Sequence, residues 1–409
     1  MTSATEWEVS SVAQEFDVQL GKRLDAAVNR GQLRWCINNR GVRWGRVLTE
    51  EAVQAPLTPA DIHDLRLVPG DVLVCEGGEI GRAAVWHGEL AEAYFLNTLH
   101  RLRSKGRYSP SLLVAFFERW AATGKLDALV GKATLGHLTK ENLLRVPLPV
   151  MPPAEQERTV NALTDVDSLV GSLERSLAKK CAIKHGMMQE LLAGRTRLAG
   201  FSGAWSQRPL GSLVDGLAAG TSVRSTDGVG EPAVLKTSAI RGGRFDAREV
   251  KTILTQDVSR ASCAVVADSL IISRMNTPAM VGDVGYVKDA HPGLYLPDRL
   301  WLARSRTGSG TSMRWLTAAL SHGATAQSVR GLATGTSDSM KNIPKKRMLS
   351  LHVLTPPVDE QHAIADVLGD ADTEIEALER LLGVTRAIKH GMIQELLTGR
   401  TRLVGEGGE

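Results

Sequence analysis

Aromatic residues make up only 4% of the 409-residue chain, and cysteine occurs four times. Cys36, Cys75, Cys181 and Cys263 are widely scattered and form no CxxC pair. They give no disulfide framework, so a reduced, cytoplasmic setting is expected. No apolar run approaches the roughly 18 residues of a transmembrane helix, so no membrane contact is expected. Met1 is followed by the polar stretch TSATEWE, not by a charged-then-apolar leader, so no secretory signal is expected. Catalytic signatures are missing as well. There is no GxxxxGK[ST] phosphate loop, no HExxH, no Cys/His cluster of metal-ligand spacing and no GxSxG elbow. Gly77-Gly78-Glu79-Ile80-Gly81-Arg82 is glycine-rich but lacks GxGxxG spacing, and it reads as a tight strand-to-strand turn. Glu50-Glu51 reads as a solvated loop. The sequence therefore predicts no catalysis, no metal and no resident cofactor.

What is present is a duplication. Ala182–Leu198 (AIKHGMMQELLAGRTRL) returns as Ala387–Leu403 (AIKHGMIQELLTGRTRL), 205 residues later, with 15 of 17 positions identical. A fixed period of this kind means that one structural unit is built twice. The match runs upstream without a gap: Glu155-Gln156 with Glu360-Gln361, Leu163 with Leu368, Glu174-Arg175 with Glu379-Arg380. His185 and His390, inside the repeated KHG, read as helix-surface or interface groups.

The blocks between the repeats are alike but more loosely spelled. Trp7 matches Trp205, and Val42-Arg-Trp-Gly-Arg46 matches Ile240-Arg-Gly-Gly-Arg244. Asp71-Val-Leu-Val-Cys75 has the pattern of a buried strand and matches Asp268-Ser-Leu-Ile-Ile272. Trp35–Ile37, Arg82–Trp86 and Tyr94–Leu96 give weaker strand patterns. Ser111–Thr123 predicts a helix with Ser109 and Pro110 as N-cap and first residue and Gly124 as its stop; it is matched to Ser312–Leu320. The class is α+β. Two similar mixed α/β domains at 1–151 and 201–355 alternate with helical segments at 152–200 and 356–405.

Each domain ends in prolines, at Val146–Pro153 and Thr355–Pro357, followed by acidic residues that suit the positive end of a helix. Leu163, Val166, Val170, Leu173 and Leu177 then fall at alternating spacings of three and four. Leu368, Ala371, Ile375, Leu378 and Leu382 hold the same positions in the second copy. Matched a/d seams predict a two-helix coiled coil. Short connections favour an antiparallel pair, which would separate the domains along a rod with a pseudo-two-fold axis. A bend at Gly186 or Gly391 is allowed for.

Charge is uneven. Residues 201–353 carry 19 basic against 11 acidic side chains, whereas 1–153 carry 18 against 17. The basic block suits a polyanion, and a solvated basic surface is the plain alternative. Candidate DNA-binding residues cluster in matching stretches. In the first domain they are Asn38, Asn39, Arg40, Arg43 and Arg46, then Arg82, then Lys132, Thr134 and Lys140, with His137 and Asn142 nearby. In the second they are Lys236, Arg241 and Arg244, then Arg274, Asn276 and Thr277, then Lys341, Lys345 and Lys346, with Asn342 and Arg347 nearby. Arginine and asparagine can fork onto guanine and adenine edges, while lysine and threonine suit phosphates.

The duplicated PP-x-EQ approach and IKHGM-x-QELL-x-GRTRL ending resemble the DNA-specificity (S) subunit of type I restriction–modification enzymes, over essentially the whole chain. The second approach reads Pro356-Pro-Val-Asp-Glu-Gln361, one residue longer. The resemblance implies two target-recognition domains that each read half of a split site in double-stranded DNA. It implies two spacer helices in an antiparallel coiled coil and no catalysis by the subunit itself. Implied partners are two methyltransferase subunits, which use S-adenosylmethionine, and a restriction subunit with ATP-driven translocation, working in DNA methylation and host defence. The near-identical helix endings are expected to dock the methyltransferase copies, through Met187 and Leu191 and through Met392 and Leu396. Two other readings stay open: a coiled-coil adaptor that binds only proteins, and an enzyme with an unrecognised methyltransferase or nuclease motif.

Overall fold

The computed structural model describes residues 7–23, 31–130, 137–228, 230–335 and 339–403. The chain divides into two compact units, one of Met1–Glu174 with Arg380–Glu409, the other of Arg175–Glu379. The division follows packing rather than chain order, and each unit takes one globular domain and half of each long helix.

In the first unit a four-stranded antiparallel sheet runs in the order Phe16–Leu20, Leu99–Ser104, Val72–Cys75, Ala83–Val85. Its register pairs Leu102 with Val18, Leu99 with Cys75 and Leu73 with Ala84. Strand Val72–Cys75 is buried at all four positions. Val72 and Val74 face a core that includes the Pro110–Ala122 helix. Leu73 and Cys75 face a second core shared with the sheet of Val53–Leu57, Gln32–Ile37 and Tyr94–Phe95. Cover on both faces explains why this stretch is an unbroken apolar run without polar alternation. Ser109 Oγ accepts from the Leu112 amide at 3.5 Å and Pro110 fills the first turn, as the sequence predicts. Glu8–Ser11 pairs antiparallel with Pro147–Val150, which brings the domain's start to its exit.

The second unit repeats this plan. Its sheet runs Ala218–Ala219, Leu300–Arg304, Ser269–Ser273, Val284–Val287, and a five-stranded sheet replaces the three-stranded one. Leu270 and Ile272 face the core of the Met313–Ser321 helix, and Ile271 faces the other. Ser206–Pro209 pairs with His352–Thr355 as the closing ribbon. One match needs correction. Ser312 is the N-cap of its helix, so its counterpart is the N-cap Ser109, not Ser111.

Pro153–Leu191 and Val358–Leu396 are unbroken helices of 39 residues each. At 1.5 Å per residue each is about 58 Å long. Gly186 and Gly391 interrupt neither helix. Within each unit the two helices are antiparallel, because ion-pair partners rise in number on one as they fall on the other. In the first unit Glu155 meets Arg402, Asp167 meets Lys389 and Glu174 meets Arg386. In the second, Lys180 meets Glu374, Lys184 meets Asp372 and Arg197 meets Glu360. The predicted seam lies inward: Leu163, Leu173, Leu368, Ile375 and Leu382 are buried, and the other five positions are half-buried. Among the described residues no helix is long and apolar enough to cross a membrane.

Candidate nucleic-acid interface

In the first unit the basic cluster forms a small hairpin. Asn38 Oδ1 accepts from the amides of Arg40 and Gly41 at 2.9 and 3.3 Å and so caps the turn Asn39–Gly41. Val42–Arg43 then pairs with Arg46–Val47 across Trp44-Gly45, with Arg43 directly opposite Arg46. Val42 and Val47 are buried, so the arginine pair takes the other face of the ribbon. Arg40 and Arg46 are exposed; Arg43 is half-buried and donates to the Arg40 carbonyl at 2.7 Å. The Gly45 amide donates to the Ala83 carbonyl at 3.0 Å, which pins the tip to the sheet edge. Two expected DNA contacts serve the loop instead. Asn38 is engaged as the cap. Arg82 has a side chain only 16% exposed, donates to the Asn39 carbonyl at 2.8 Å and pairs with Glu79 at 3.1 Å.

The second unit has the same hairpin with different lettering. Ile240–Arg241 pairs with Arg244–Phe245, Arg241 opposite Arg244, across Gly242-Gly243. Both turn glycines have positive φ, +56° and +90°, the geometry of a turn that matches strand twist and suits glycine. The Gly243 amide donates to the Val284 carbonyl at 3.0 Å. Arg241 and Arg244 are exposed; Arg244 lies 3.8 Å from Glu379, and Lys236 lies 3.9 Å from Glu249. Beside the hairpin, Asn276 is buried, donates to Ser273 Oγ at 3.2 Å and accepts from the Thr277 amide at 2.8 Å. Its amide group is therefore structural, another correction, while Thr277 is exposed. Arg274 lies over the Trp301 ring at 5.5 Å, and Lys341 donates to the Gly335 carbonyl at 2.8 Å. Burial pushes the Asp283 carboxyl up, against the pull of Arg330 and Arg241. Sequence reasoning missed Arg330, because nothing but its 3.6 Å approach to Asp283 marks it.

In each unit the hairpin and the loop after the central strand share one end of the four-stranded sheet. The segment before the last short helix joins them there. The Leu138 amide donates to the Glu76 carbonyl at 2.7 Å, and the Ile343 amide to the Arg274 carbonyl at 2.8 Å. Other candidates are not gathered there. Lys345 and Lys346, exposed on the Lys345–Leu349 helix, border a separate hollow with Pro209, Gly211 and His352. Lys140, exposed, opens the equivalent Lys140–Leu144 helix. Lys132 and Thr134 lie outside the described residues. A cleft of about 790 Å³ adjoins the second hairpin, with Arg241, Arg244 and Arg314 facing Asp372 and Glu376.

The repeated helix endings do something other than expected. Arg402, after the second helix, forks onto Glu155, which also accepts from Trp7 Nε1 at 3.4 Å; the guanidinium lies over the Trp7 ring. Arg197, after the first helix, forks onto Glu360 with two contacts of 2.6 Å, and Glu360 accepts from Trp205 Nε1 at 3.0 Å. Hydrogen bonding from Arg402 holds the Glu155 carboxyl below the usual range, despite burial. The repeat thus closes each unit with one clasp. Leu191 and Leu396 are each 6% exposed, so neither offers a surface to a partner. Met187 and Met392 are half-buried; Met187 packs on the core of the Met313–Ser321 helix and Met392 on that of the Pro110–Ala122 helix. His185 lies against His322, ring centroids 4.9 Å apart, which agrees with an interface role.

No family model matches the chain. It is similar to a Methanocaldococcus jannaschii protein named, provisionally, as the specificity subunit of the type I restriction enzyme MjaX. Identity is 22%, over 97% of this chain and 94% of that one. The fold is similar to the crystal structure of a type I restriction–modification S subunit from M. genitalium. There the TM-score is 0.59 at 11% identity, covering 97% and 99% of the two chains. It is also similar to a chain from a structural study of complex assembly and conformational transition in the type I R-M system, with TM-score 0.54, 15% identity and coverage of 96% and 97%. The chain thus resembles type I specificity subunits along its whole length.

Proposed function

We propose that this chain is the DNA-reading, non-catalytic specificity subunit of a type I restriction–modification assembly, in which each unit reads one half of a split site. One observation carries the reading. An outward arginine pair on a hairpin stands beside the loop that leaves the central strand, and this arrangement occurs once in each unit. Two separate recognition surfaces in one chain fit a site read in two halves. Methyltransferase subunits would bind S-adenosylmethionine, and a restriction subunit would bind ATP. For docking those partners, Ile183 and Ile388 replace the buried leucines as candidates: they hold matching positions of the repeat and are 47% and 53% exposed.

The test is titration of fluorescent duplexes with the full chain at several salt concentrations. Phosphate contacts leave a linear fall of log K with log salt, by about 0.9 per phosphate neutralised. Binding that ignores salt, or S-adenosylmethionine binding by the isolated chain, would count against this function.

A further inference from the structure

The two hairpins share more than charge. Each has two-residue strands, apolar residues turned into a core, an arginine on each strand facing its twin, and a tip amide bonded to the same edge of the four-stranded sheet. Like charges placed directly opposite on a ribbon repel, and an anion seated between them relieves that repulsion. The second pair does have carboxylates in view, Asp372 and Glu376 across the cleft and Asp283 under the pull of Arg241. Among the described residues Arg43, Arg46 and Arg241 make no ion pair. Arg244 has only the 3.8 Å approach to Glu379, with the two side chains 58% and 44% exposed, which makes for a weak contact.

The neighbouring loops behave in the opposite way. Glu76–Arg82 and Arg274–Asp283 differ in length and chemistry, yet their frames coincide. The Gly81 amide donates to the Cys75 carbonyl at 3.0 Å, and the Gly282 amide to the Ser273 carbonyl at 2.8 Å. A Cβ at either glycine would strike a side chain of the following helical segment, Leu126 at 2.5 Å or Val329 at 2.7 Å. The frame is the same in both units, while the residues between differ in number and kind. A feature common to both units suits what every duplex offers, its phosphates; a feature that differs suits the bases.

Resting on the DNA-binding function proposed above, we infer that Arg43 with Arg46, and Arg241 with Arg244, each seat one backbone phosphate and read no base. The loops Glu76–Arg82 and Arg274–Asp283 read the bases of the two half-sites. The arginine pairs set register and strength of binding, and the loops set sequence.

The experiment uses the full chain and a pool of randomised duplexes, with bound sequences counted and affinities measured from low to high salt. Arg43→Ser with Arg46→Ser should lower affinity for every sequence by one common factor and leave the preferred bases unchanged. The log K against log salt slope should become shallower by about 1. Arg43→Lys with Arg46→Lys should restore the slope, since the slope counts phosphates neutralised and lysine keeps the charge. Arg241→Ser with Arg244→Ser should repeat the result independently. Thr277→Ala with Arg274→Ala should alter preference in one half-site only. Altered base preference in either arginine-to-serine variant, or an unchanged slope, overturns the assignment while leaving DNA binding intact. A parent chain that binds no duplex overturns the DNA reading itself.

Discussion

Replacing Gln156 by alanine would remove the side chain that joins three segments of the first unit. Its Oε1 accepts from the Ser109 amide at 2.9 Å, at the head of the Pro110–Ala122 helix. Its Nε2 donates to the carbonyls of Arg107 and Met151 at 3.1 and 2.9 Å. Gln156 is 4% exposed, so water has little room to take these bonds over. Each buried group left without a partner costs about 1–3 kcal/mol, and two of the three bonds lie in only part-buried surroundings. The expected loss is therefore about 3 kcal/mol. For a unit of roughly 200 residues, 1 kcal/mol moves the unfolding midpoint by about 2–4 °C, so a fall of about 6–12 °C is expected. Gln361 in the second unit makes two such bonds, from the Ser312 amide at 3.2 Å and to the Pro356 carbonyl at 2.9 Å. Gln361→Ala should then cost less, about 2 kcal/mol. Gln156→Glu keeps the acceptor but turns a carboxylate on two carbonyls, and should be at least as harmful as alanine at neutral pH. Calorimetry of the full chain separates these outcomes. A Gln156→Ala midpoint within 2 °C of the parent, or a larger loss at Gln361, would refute the argument.

Two further predictions concern the charged contacts between helices and domain. The Glu155 carboxyl is held low by Arg402, so its contribution to stability is present above the ordinary glutamate value of about 4.3 and lost as pH falls through the folded value. The parent's acid unfolding should be steeper there than that of Glu155→Gln, and identical pH profiles would contradict the clasp. Lys389 is largely buried, which by itself lowers its pKa, but Glu118 and Asp167 raise it overall. Lys389→Met leaves those carboxylates facing each other; because Asp167 is half-exposed, the cost should be about 2 kcal/mol, below that of a fully buried pair. Urea unfolding should show a lower midpoint with unchanged slope, and a loss under about 0.5 kcal/mol would show that water replaces the lysine.

The sequence by itself determined the duplication, both long helices, their inward seam and the buried central strand. The duplication is read by comparing the chain with itself; the rest come from periodicity, capping and proline placement, which act over a few residues and can be read locally. Tertiary structure decided partners. Arg197 and Glu360 stand 163 positions apart, and nothing local announces that the end of one helix grips the start of the other. That contact turned the repeated endings from an expected docking surface into a clasp, with Leu191 and Leu396 inside. The same limit sorted the polar candidates. Asn38, Arg82 and Asn276 carry the right chemistry for DNA but have backbone and side-chain partners of their own, whereas the Arg46 and Arg241 side chains are exposed and make no hydrogen bond or ion pair among the described residues. A residue's type states what it can bind; which of its hydrogen bonds the fold has already taken is settled only when distant segments meet.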